Sequence, residues 1–340
     1  MLERTTILIP TFNRTSGLKR LLHFLAAEGA ACPILVLDSG DAASQEENAE
    51  TCRTSPLSTA HHCYPEGIYQ LDKWEEGLRL VGTEFSAFAA DDDFVFPATL
   101  GECERFLLAH PDYVVCQGFF LSFRRQGREE SSSRTHFQLD SPGAGREEET
   151  PVARVWMAFH SYAHLIYGLR RTACWVDSLH RINAATKVHR GHGSSIEEML
   201  DAMLCLVAGK LRRLPLLHSL RNGKPTDAWP LSFLYGPDFS PVMTAFTHAF
   251  LDAFVPVSGQ SRGECEALFL AAFHNYRQRL FGHDAPVPDS WKGLVGPFGK
   301  PEEDARLQPL LASLNVTGPA FDRARGLLEQ FPLPIDFTGS

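Results

Sequence analysis

The sequence predicts an α/β fold in which a mostly parallel β-sheet is flanked by helices. Short apolar runs, several rich in β-branched residues, recur between residues 5 and about 120, and their length suits buried strands. Stretches with the apolar spacing of helices separate these runs. Strands that alternate with helices usually pair in parallel, so the order of elements itself indicates such a sheet. The 340 residues, 44% of them hydrophobic, are ample for a sizeable core.

The first strand is "TTILIP" (Thr5–Pro10), and proline ends it because it cannot donate to a sheet. A helix follows from Ser16, with leucines along one face. The second strand, in "CPILVLDSG", ends at Asp38, and a capping box of Ser44 and Glu47 predicts a short helix after it. The later predictions for this half are a strand at Leu57–Cys63, a helix at Ile68–Val81, a strand in "EFSAFAA", a helix from Pro97 to about Leu108 and a strand in "DYVVCQGFF".

The rest of the chain is predicted to contain a long loop and more helices. Residues 124–150 are charged and rich in Ser and Gly, which predicts a mobile loop with a hairpin near Thr135–Leu139. We predict a domain boundary near residue 225, between a sheet domain (residues 1–225) and a mainly helical region (residues 226–340). The other predictions are a helix from Pro151, a strand in "HLIYGLRR", a helix from Thr172, a helix at Ile196–Ala208, an edge strand "KLRRLPLL" and Phe-rich helices beyond Trp229.

Composition excludes some classes of protein. The net charge of −9 argues against a nucleic-acid-binding protein, which would usually have a basic surplus. Neither a secretory leader nor an apolar run of about 20 residues is found, so we expect a cytoplasmic protein. The eight cysteines form no CxxC pair and are expected to be buried, reduced thiols. The sequence leaves peripheral contact with a membrane open.

Polar residues follow three of the predicted strands. They are "TFNR" at residues 11–14, "DSG" at residues 38–40 and "DDD" at residues 91–93. In a parallel sheet these strand ends meet at one edge, where ligands bind. Three adjacent carboxylates repel one another, and Mg²⁺ or Mn²⁺ would remove that repulsion. The alternative is a solvated turn that caps the following helix.

The segments "TILIPTFNRTSGLKRLLHFL", "ILVLDSG" and "EFSAFAADDDFVFP" together resemble a family-2 glycosyltransferase with the GT-A fold. The resemblance covers residues 5–120 well, weakens towards residue 220 and ends there. It implies a Rossmann-like nucleotide-binding sheet and a DxD-type motif that binds Mn²⁺ or Mg²⁺ and the donor diphosphate. By this resemblance Asp93 is the direct metal ligand, Asp91 contacts the ribose or the metal, and Asp92 supports them.

The same resemblance assigns further donor-binding residues. Thr11 and Arg14 match the family's first nucleotide contact, and Asp38 matches the residue that reads the base. The family commonly has a second acidic residue after Asp38, whereas this chain has Ser39, which leaves the base open. Lys73, on the helix before the acidic triplet, either reaches a phosphate or is an ordinary surface lysine.

The resemblance also implies a general base that deprotonates the acceptor. The family places an acidic pair at the start of a helix that precedes a basic strand, and Glu197 and Glu198 match that position, with Asp201 as a further candidate. The competing interpretation is a capping box of Ser195 and Glu198. His218, after the basic strand, is either a metal ligand or a packed side chain. His160 and His164 have the spacing of metal pairs, but no third ligand accompanies them, so zinc is not expected.

The predicted activity is therefore metal-dependent transfer of a sugar from a nucleotide-diphosphate sugar, UDP- or GDP-linked, to an acceptor hydroxyl with inversion. The acceptor would be a glycan, a lipid-linked molecule or a protein. A nucleotidyltransferase and a non-catalytic module that binds a nucleotide sugar or a protein are the alternatives. The Phe-rich C-terminal helices are expected to form a core packed onto the catalytic domain, and the alternative is an acceptor-binding surface or a homodimer contact.

Overall fold

The computed structural model describes residues 2–126, 134–139, 145–160, 164–187, 194–223, 239–280 and 319–330. Within these residues nine strands form one sheet in the order β3-β2-β1-β4-β8-β6-β9-β5, and β7 pairs with β6. The strands are β1 (Thr5–Thr11), β2 (Ile34–Asp38), β3 (Thr59–Cys63), β4 (Phe85–Phe88), β5 (Phe94–Val95), β6 (Tyr113–Gln126), β7 (Arg134–Leu139), β8 (Leu169–Arg171) and β9 (Lys210–Asn222).

Helices connect most of these strands and cover both faces of the sheet. In the described residues they are α1 (Thr15–Ala27), α2 (Ala42–Thr54), α3 (Gln70–Arg79), α4 (Pro97–Ala109), α5 (Pro151–His160), α6 (Thr172–Thr186), α7 (Ser194–Ala208), α8 (Phe239–Ser258), α9 (Arg262–Leu280) and α10 (Pro319–Gln330). None of the helices described is both long enough and apolar enough to cross a bilayer.

The sheet is mostly parallel, which confirms the predicted fold class. Strand β1 pairs in parallel with β2 and β4, and β2 pairs in parallel with β3. The short strand β8 runs antiparallel to both β4 and β6, so β6 and its parallel partner β9 point the same way as β1. The carboxyl ends of these strands therefore meet at one edge of the sheet.

The alternation of side chains along β1 builds a core on each face of the sheet. Ile7 and Ile9 pack with α1 and α4 on one face. Leu8 points to the opposite face, in a cluster with residues of α3 and of α5 to α9. Burial on both faces explains why these strands are short apolar runs rather than alternating ones.

Three local predictions were only partly right. Helix α2 is capped by Asp41, whose side chain accepts a hydrogen bond from the Ser44 N–H, rather than by Ser44 itself. The strand predicted in "HLIYGLRR" is confined to Leu169–Arg171. Part of the predicted loop is strand: β6 continues to Gln126 and pairs with β7, so the predicted hairpin is present.

Strand β9 lies between β6 and β5 in the interior of the sheet, so the prediction of an edge strand in "KLRRLPLL" was wrong. The register passes from Gln117–Arg213 to Phe119–Leu217, so the residues around Pro215 bulge out opposite a single residue, Gly118. A bulge tolerates proline because its backbone N–H is not needed there.

The C-terminal helices belong to the same core as the sheet. Phe246 and Phe250 of α8 and Phe269 of α9 are buried in one cluster with Met199 of α7 and Trp175 of α6. The predicted boundary at residue 225 lies outside the described residues.

All eight cysteines are free. Cys63 is exposed and Cys174 is half-buried, so the expectation of burial holds for the others only.

Candidate functional site

A cavity of about 390 Å³ opens at the carboxyl ends of β1, β2 and β4. Its lining includes Thr11, Arg14, Ser39, Lys73, Trp74 and Asp91, so side chains from the three predicted strand ends meet there. Phe12 stands at the same cavity with half of its surface exposed. The cavity thus combines an accessible aromatic ring with charged groups of both signs.

The turn after β1 is built to hold this arrangement. Asn13 adopts a left-handed conformation with φ of 53°, which Asn tolerates better than most residues. Its side-chain oxygen accepts a hydrogen bond from the Asp41 N–H at 2.8 Å. The turn after β1 is therefore tied to the turn after β2. Gly17 lets α1 approach the acidic triplet, because a Cβ there would lie 2.8 Å from the Asp91 carbonyl oxygen.

Two of the three aspartates contact the first strand end. The Thr11 hydroxyl donates to Asp91 Oδ2 at 2.8 Å. The Arg14 guanidinium lies 3.1 Å from Asp91 Oδ1 and 3.0 Å from Asp92 Oδ2, so one cation serves two carboxylates. Burial raises the pKa of Asp91 despite the opposing effects of Arg14 and Thr11. Thr11, Arg14, Asp91 and Asp92 thus form one connected cluster.

Asp93 is buried and faces β9. Its Oδ1 accepts a hydrogen bond from the Asn222 N–H at 2.7 Å. Burial, followed by the negative charge of Asp92, raises the pKa of Asp93 to about 7 against the opposing effect of Arg221. A carboxylate held in this way gains from any further cation.

Lys73 is a buried residue, so the surface interpretation of this lysine was wrong. Its ammonium donates to the Thr11 carbonyl oxygen at 3.0 Å and to the Ser39 hydroxyl at 2.7 Å. Burial lowers the pKa of Lys73, and Asp38 and Asp91 oppose that effect. Lys73 and Ser39 therefore present a joined pair of polar groups to the cavity.

Asp38 lies just beneath this pair and is fully buried. Its carboxylate accepts hydrogen bonds from the Gly40 N–H and the Asn48 amide, both at 2.8 Å, and contacts His61 Nε2 at 3.0 Å. Burial disfavours its ionised form, yet these hydrogen bonds lower its pKa overall. The geometry gives Asp38 a structural role in the turn, and its contact with a base stays a prediction.

The acidic residues of α7 stand in three different environments. Glu197 is buried and accepts a hydrogen bond from the Tyr69 hydroxyl, next to the cavity-lining helix α3. Asp201 forms a buried ion pair with Arg170, with an N–O distance of 2.6 Å. Glu198 remains 25% exposed at its side chain and pairs with His164 Nδ1 at 2.5 Å. Of the three candidate bases, Glu198 has the most accessible carboxylate.

Arg221 connects Glu198 with the acidic triplet. Its guanidinium lies over the Tyr167 ring, 4.5 Å from the centroid. It acts electrostatically on Asp93 and on Glu198, in both cases favouring the ionised carboxylate. Since β9 ends at the same edge as β1, the proposed base and the acidic triplet share one electrostatic environment.

His218 does not join this group. Its Nε2 contacts the Tyr167 carbonyl oxygen at 2.7 Å, and its Nδ1 accepts a hydrogen bond from the Gly118 N–H at 3.2 Å. The ring is fully buried, and burial lowers its pKa to about 4. A neutral ring with both nitrogens engaged by the backbone fits the packed interpretation, so we leave His218 out of the candidate metal site.

Sequence reasoning missed Phe12, His164 and Arg221. Arg221 lies near the carboxyl end of β9, and strand ends were the signal that identified the other cluster residues. The predicted strand "KLRRLPLL" stopped at residue 217, so the true end of β9 was missed. His164 was considered only with His160, yet α5 ends at His160, so the two do not share a helix face. Among the residues described, no three His, Cys, Asp or Glu side chains form a ready metal-binding group.

Neither a protein-family model nor a curated protein matches this chain. The fold is nevertheless shared with solved structures. A crystal structure of S. aureus TarS has a TM-score of 0.53 and 16% identity over 96% of this chain, which spans 55% of that chain. TarS 1–349 has a TM-score of 0.54 and 15% identity, covering 96% of this chain and 91% of that one. TarS 1–349 in complex with UDP-GlcNAc has a TM-score of 0.54 and 16% identity, with the same coverage.

These similarities confirm the α/β fold class with its mostly parallel sheet. At identities of 15–16%, these similarities are evidence for a shared fold only.

Proposed function

We propose that this protein is a glycosyltransferase that uses a nucleotide-diphosphate sugar as donor. The observation that carries the proposal is the meeting of Thr11, Arg14, Lys73 and Asp91, the first residue of the acidic triplet, around a cavity of about 390 Å³ at the carboxyl edge of the sheet. Ligands of open α/β sheets bind at this edge. Further support comes from the shared fold with TarS 1–349, which was solved with UDP-GlcNAc.

In the proposed complex the nucleotide occupies the cavity. The exposed Phe12 ring offers a stacking surface for the base. Lys73 and Ser39 offer hydrogen bonds to a carbonyl or hydroxyl group of the nucleoside. Arg14, about half exposed beside Asp91, faces the position where the diphosphate would approach the acidic triplet.

The acidic triplet fits a divalent cation such as Mn²⁺ or Mg²⁺. Asp93 is buried near two other carboxylates. Burial and then the charge of Asp92 raise its pKa to about 7, so a bound cation would stabilise its ionised form. We propose Asp93 as the direct ligand and Asp91 as the second, with donor phosphate oxygens completing the site, since the described residues form no complete ligand group. The bound cation would neutralise charge on the diphosphate leaving group.

Glu198 is the proposed general base. It is accessible, and its pKa is low: burial opposes ionisation, but the hydrogen bond from His164 and the charges of Arg221 and Arg170 outweigh it. An ionised carboxylate can accept the proton of an acceptor hydroxyl as that oxygen attacks the anomeric carbon. Direct displacement from the side opposite the leaving group inverts that carbon. The acceptor is proposed to be a glycan, a lipid-linked molecule or a protein.

A thermal-shift screen with UDP- and GDP-sugars, with and without Mn²⁺, tests the proposal. A donor that binds the folded state raises Tm, by several degrees when its concentration exceeds Kd about 100-fold. We expect the largest shift with donor and Mn²⁺ together, and Asp93→Asn should lose the part that depends on Mn²⁺.

Asp252→Asn is the matched control, because Asp252 pairs with Arg262 on the exposed surface of the C-terminal helices. It should respond like the wild type. If none of the nucleotide-diphosphate sugars shifts the wild-type Tm, the proposed function is wrong. A shift that Asp93→Asn retains in full would refute the metal site but leave the donor site intact.

A further inference from the structure

We propose that His164 is a positioning residue for Glu198, which orients this carboxylate and keeps it ready to accept the acceptor proton. The inference rests on the proposed function and adds to it a second residue of the base. Its basis is a direct contact of 2.5 Å between His164 Nδ1 and Glu198 Oε1.

The two residues come from different elements, so the contact is produced by the fold. Glu198 lies in the first turns of α7, whereas His164 lies in the segment that leads into β8. The backbone of His164 is held in place, because the Gln117 side-chain amide of β6 donates to its carbonyl oxygen at 3.1 Å. Both paired side chains are partly exposed, 35% for His164 and 25% for Glu198. The pair is therefore both fixed by the scaffold and open to a ligand.

The direction of the hydrogen bond follows from chemistry. An ionised carboxylate only accepts hydrogen bonds, so His164 Nδ1 carries the proton and donates it to Oε1. This contact occupies one carboxylate oxygen and fixes the plane of the group. The remaining oxygen, Oε2, is then oriented to accept a proton from the attacking hydroxyl. A hydrogen bond from Nδ1–H of a histidine to a carboxylate is common in proteins.

Other charged groups also face Glu198, and they define what His164 contributes. Arg221 on β9 and Arg170 on β8 favour the ionised carboxylate through their charge, while Tyr167 is a neutral neighbour. Arg170 is already committed to Asp201, and Arg221 also acts on Asp93. His164 makes a hydrogen bond to the Glu198 carboxylate, so it can fix the orientation of this group as well as favour its ionised form.

The first test needs no substrate. The ¹³C signal of the Glu198 carboxyl is titrated by NMR in the wild type, in His164→Ala and in His164→Asn. The hydrogen bond favours the ionised form, so its removal in His164→Ala should raise the pKa of Glu198. Asn carries an amide N–H close to the position of the Nδ1–H and should preserve much of the wild-type value. The same Glu198 titration in all three proteins would overturn the inference.

The second test measures hydrolysis of UDP-GlcNAc with Mn²⁺, with water as the acceptor. His164→Ala should reduce kcat about 10- to 100-fold, the usual cost of a misplaced reacting group, while KM for the donor stays unchanged. The acid limb of the pH profile of kcat should move to higher pH in this variant, because Glu198 is then protonated at higher pH. His164→Asn should restore most of the lost kcat and most of the wild-type pH profile.

These results separate the inference from the function that it deepens. If none of the donors binds to the wild type or reacts with it, the proposed function is refuted. The NMR titration still reports on the pair of His164 and Glu198 in that case. Normal turnover in the wild type, with a His164→Ala variant that has wild-type kcat and pH profile, refutes the inference alone. A change confined to donor KM also counts against it, because it indicates a merely structural role.

Discussion

Single residues at this site owe their properties to burial. Lys73 was ambiguous in the sequence, since a helical lysine is usually solvated. In the fold it is buried, and its ammonium joins the end of β1 to Ser39. Burial thus places the charge of Lys73 at the cavity wall, between the ends of β1 and β2.

We expect Lys73→Met to weaken binding of UDP-GlcNAc about 10-fold or more, as measured by isothermal titration calorimetry. Methionine keeps the volume of the stem, but it removes a cation and its hydrogen bonds, worth about 1.5–3 kcal/mol for charged groups. Lys19→Met, on the exposed side of α1, is the control and should bind like the wild type. Unchanged affinity in Lys73→Met would exclude Lys73 from the donor site.

His218 should make stability depend on pH. Burial lowers its pKa from 6.5 to about 4, so the unfolded chain binds a proton that the folded chain rejects. The stability that His218 provides as a neutral ring is present above its unfolded pKa and is lost as pH falls from about 6.5 towards 4.

Urea denaturation of the wild type and His218→Gln, at about pH 7 and about pH 5, measures this effect. The difference in unfolding free energy between the two proteins should shrink by about 2 kcal/mol on acidification, because the variant has no titrating group. A constant difference would mean that the pKa of His218 is the same in the folded and the unfolded protein, contrary to the effect expected from its burial.

At the scale of residues, the sequence predicted correctly those groupings that depend only on where a strand ends. The acidic triplet, Thr11 and Arg14 could be grouped from sequence because parallel strands bring their ends together. The pair of His164 and Glu198 could not, because it depends on where α5 ends and on how α7 is rotated. Neither is encoded in a local pattern.

At the scale of elements, β9 shows how a bulge overturns a local rule. Pro215 cannot donate to a sheet, yet it lies in a strand that was predicted at an edge and is found in the interior. The bulge removes the need for that donor, and the strand continues to Asn222, which holds Asp93. The bulge also requires a glycine at position 118, because the backbone there approaches β9 closely.

Gly118→Ala should destabilise the fold by more than about 2 kcal/mol, since overpacking against backbone has no cheap relief. A Cβ at this position would lie 2.1 Å from the Leu216 carbonyl oxygen. Gly101→Ala is the control: its Cβ would meet nothing within 4 Å, and alanine favours helix α4 by about 1 kcal/mol. Chemical denaturation measures both, and equal stabilities would contradict the bulge geometry.

At the scale of the whole molecule, the sheet and helices α8 and α9 share a core. Strand and helix alternation predicted the sheet because its signal is local and repeated. The sequence also predicted that the C-terminal helices pack onto the sheet domain, which the shared core confirms. That they contact α5, α6 and α7 could not be predicted, because contacts between distant segments leave no periodic pattern.

Phe250→Ala should therefore destabilise the entire protein, by about 3–5 kcal/mol for a buried phenylalanine. Urea unfolding followed by tryptophan fluorescence and by circular dichroism should give one coincident transition at lower urea. Leu270→Ala, at a site 52% exposed on α9, should have little effect. Two separate transitions, with only one moved by Phe250→Ala, would instead support an independent C-terminal domain.

Helix α10 packs on α1 and the short strand β5, through Phe321 and Leu328 against Phe24 and Phe94. Arg323 also pairs with Glu28, 295 positions earlier in the chain. During synthesis, this cluster can be completed only after α10 has left the ribosome. Until then Phe24 and Phe94, next to the acidic triplet, lack part of their cover. Closure of the apolar surface behind the candidate site thus depends on a segment that is synthesised 295 positions after Glu28.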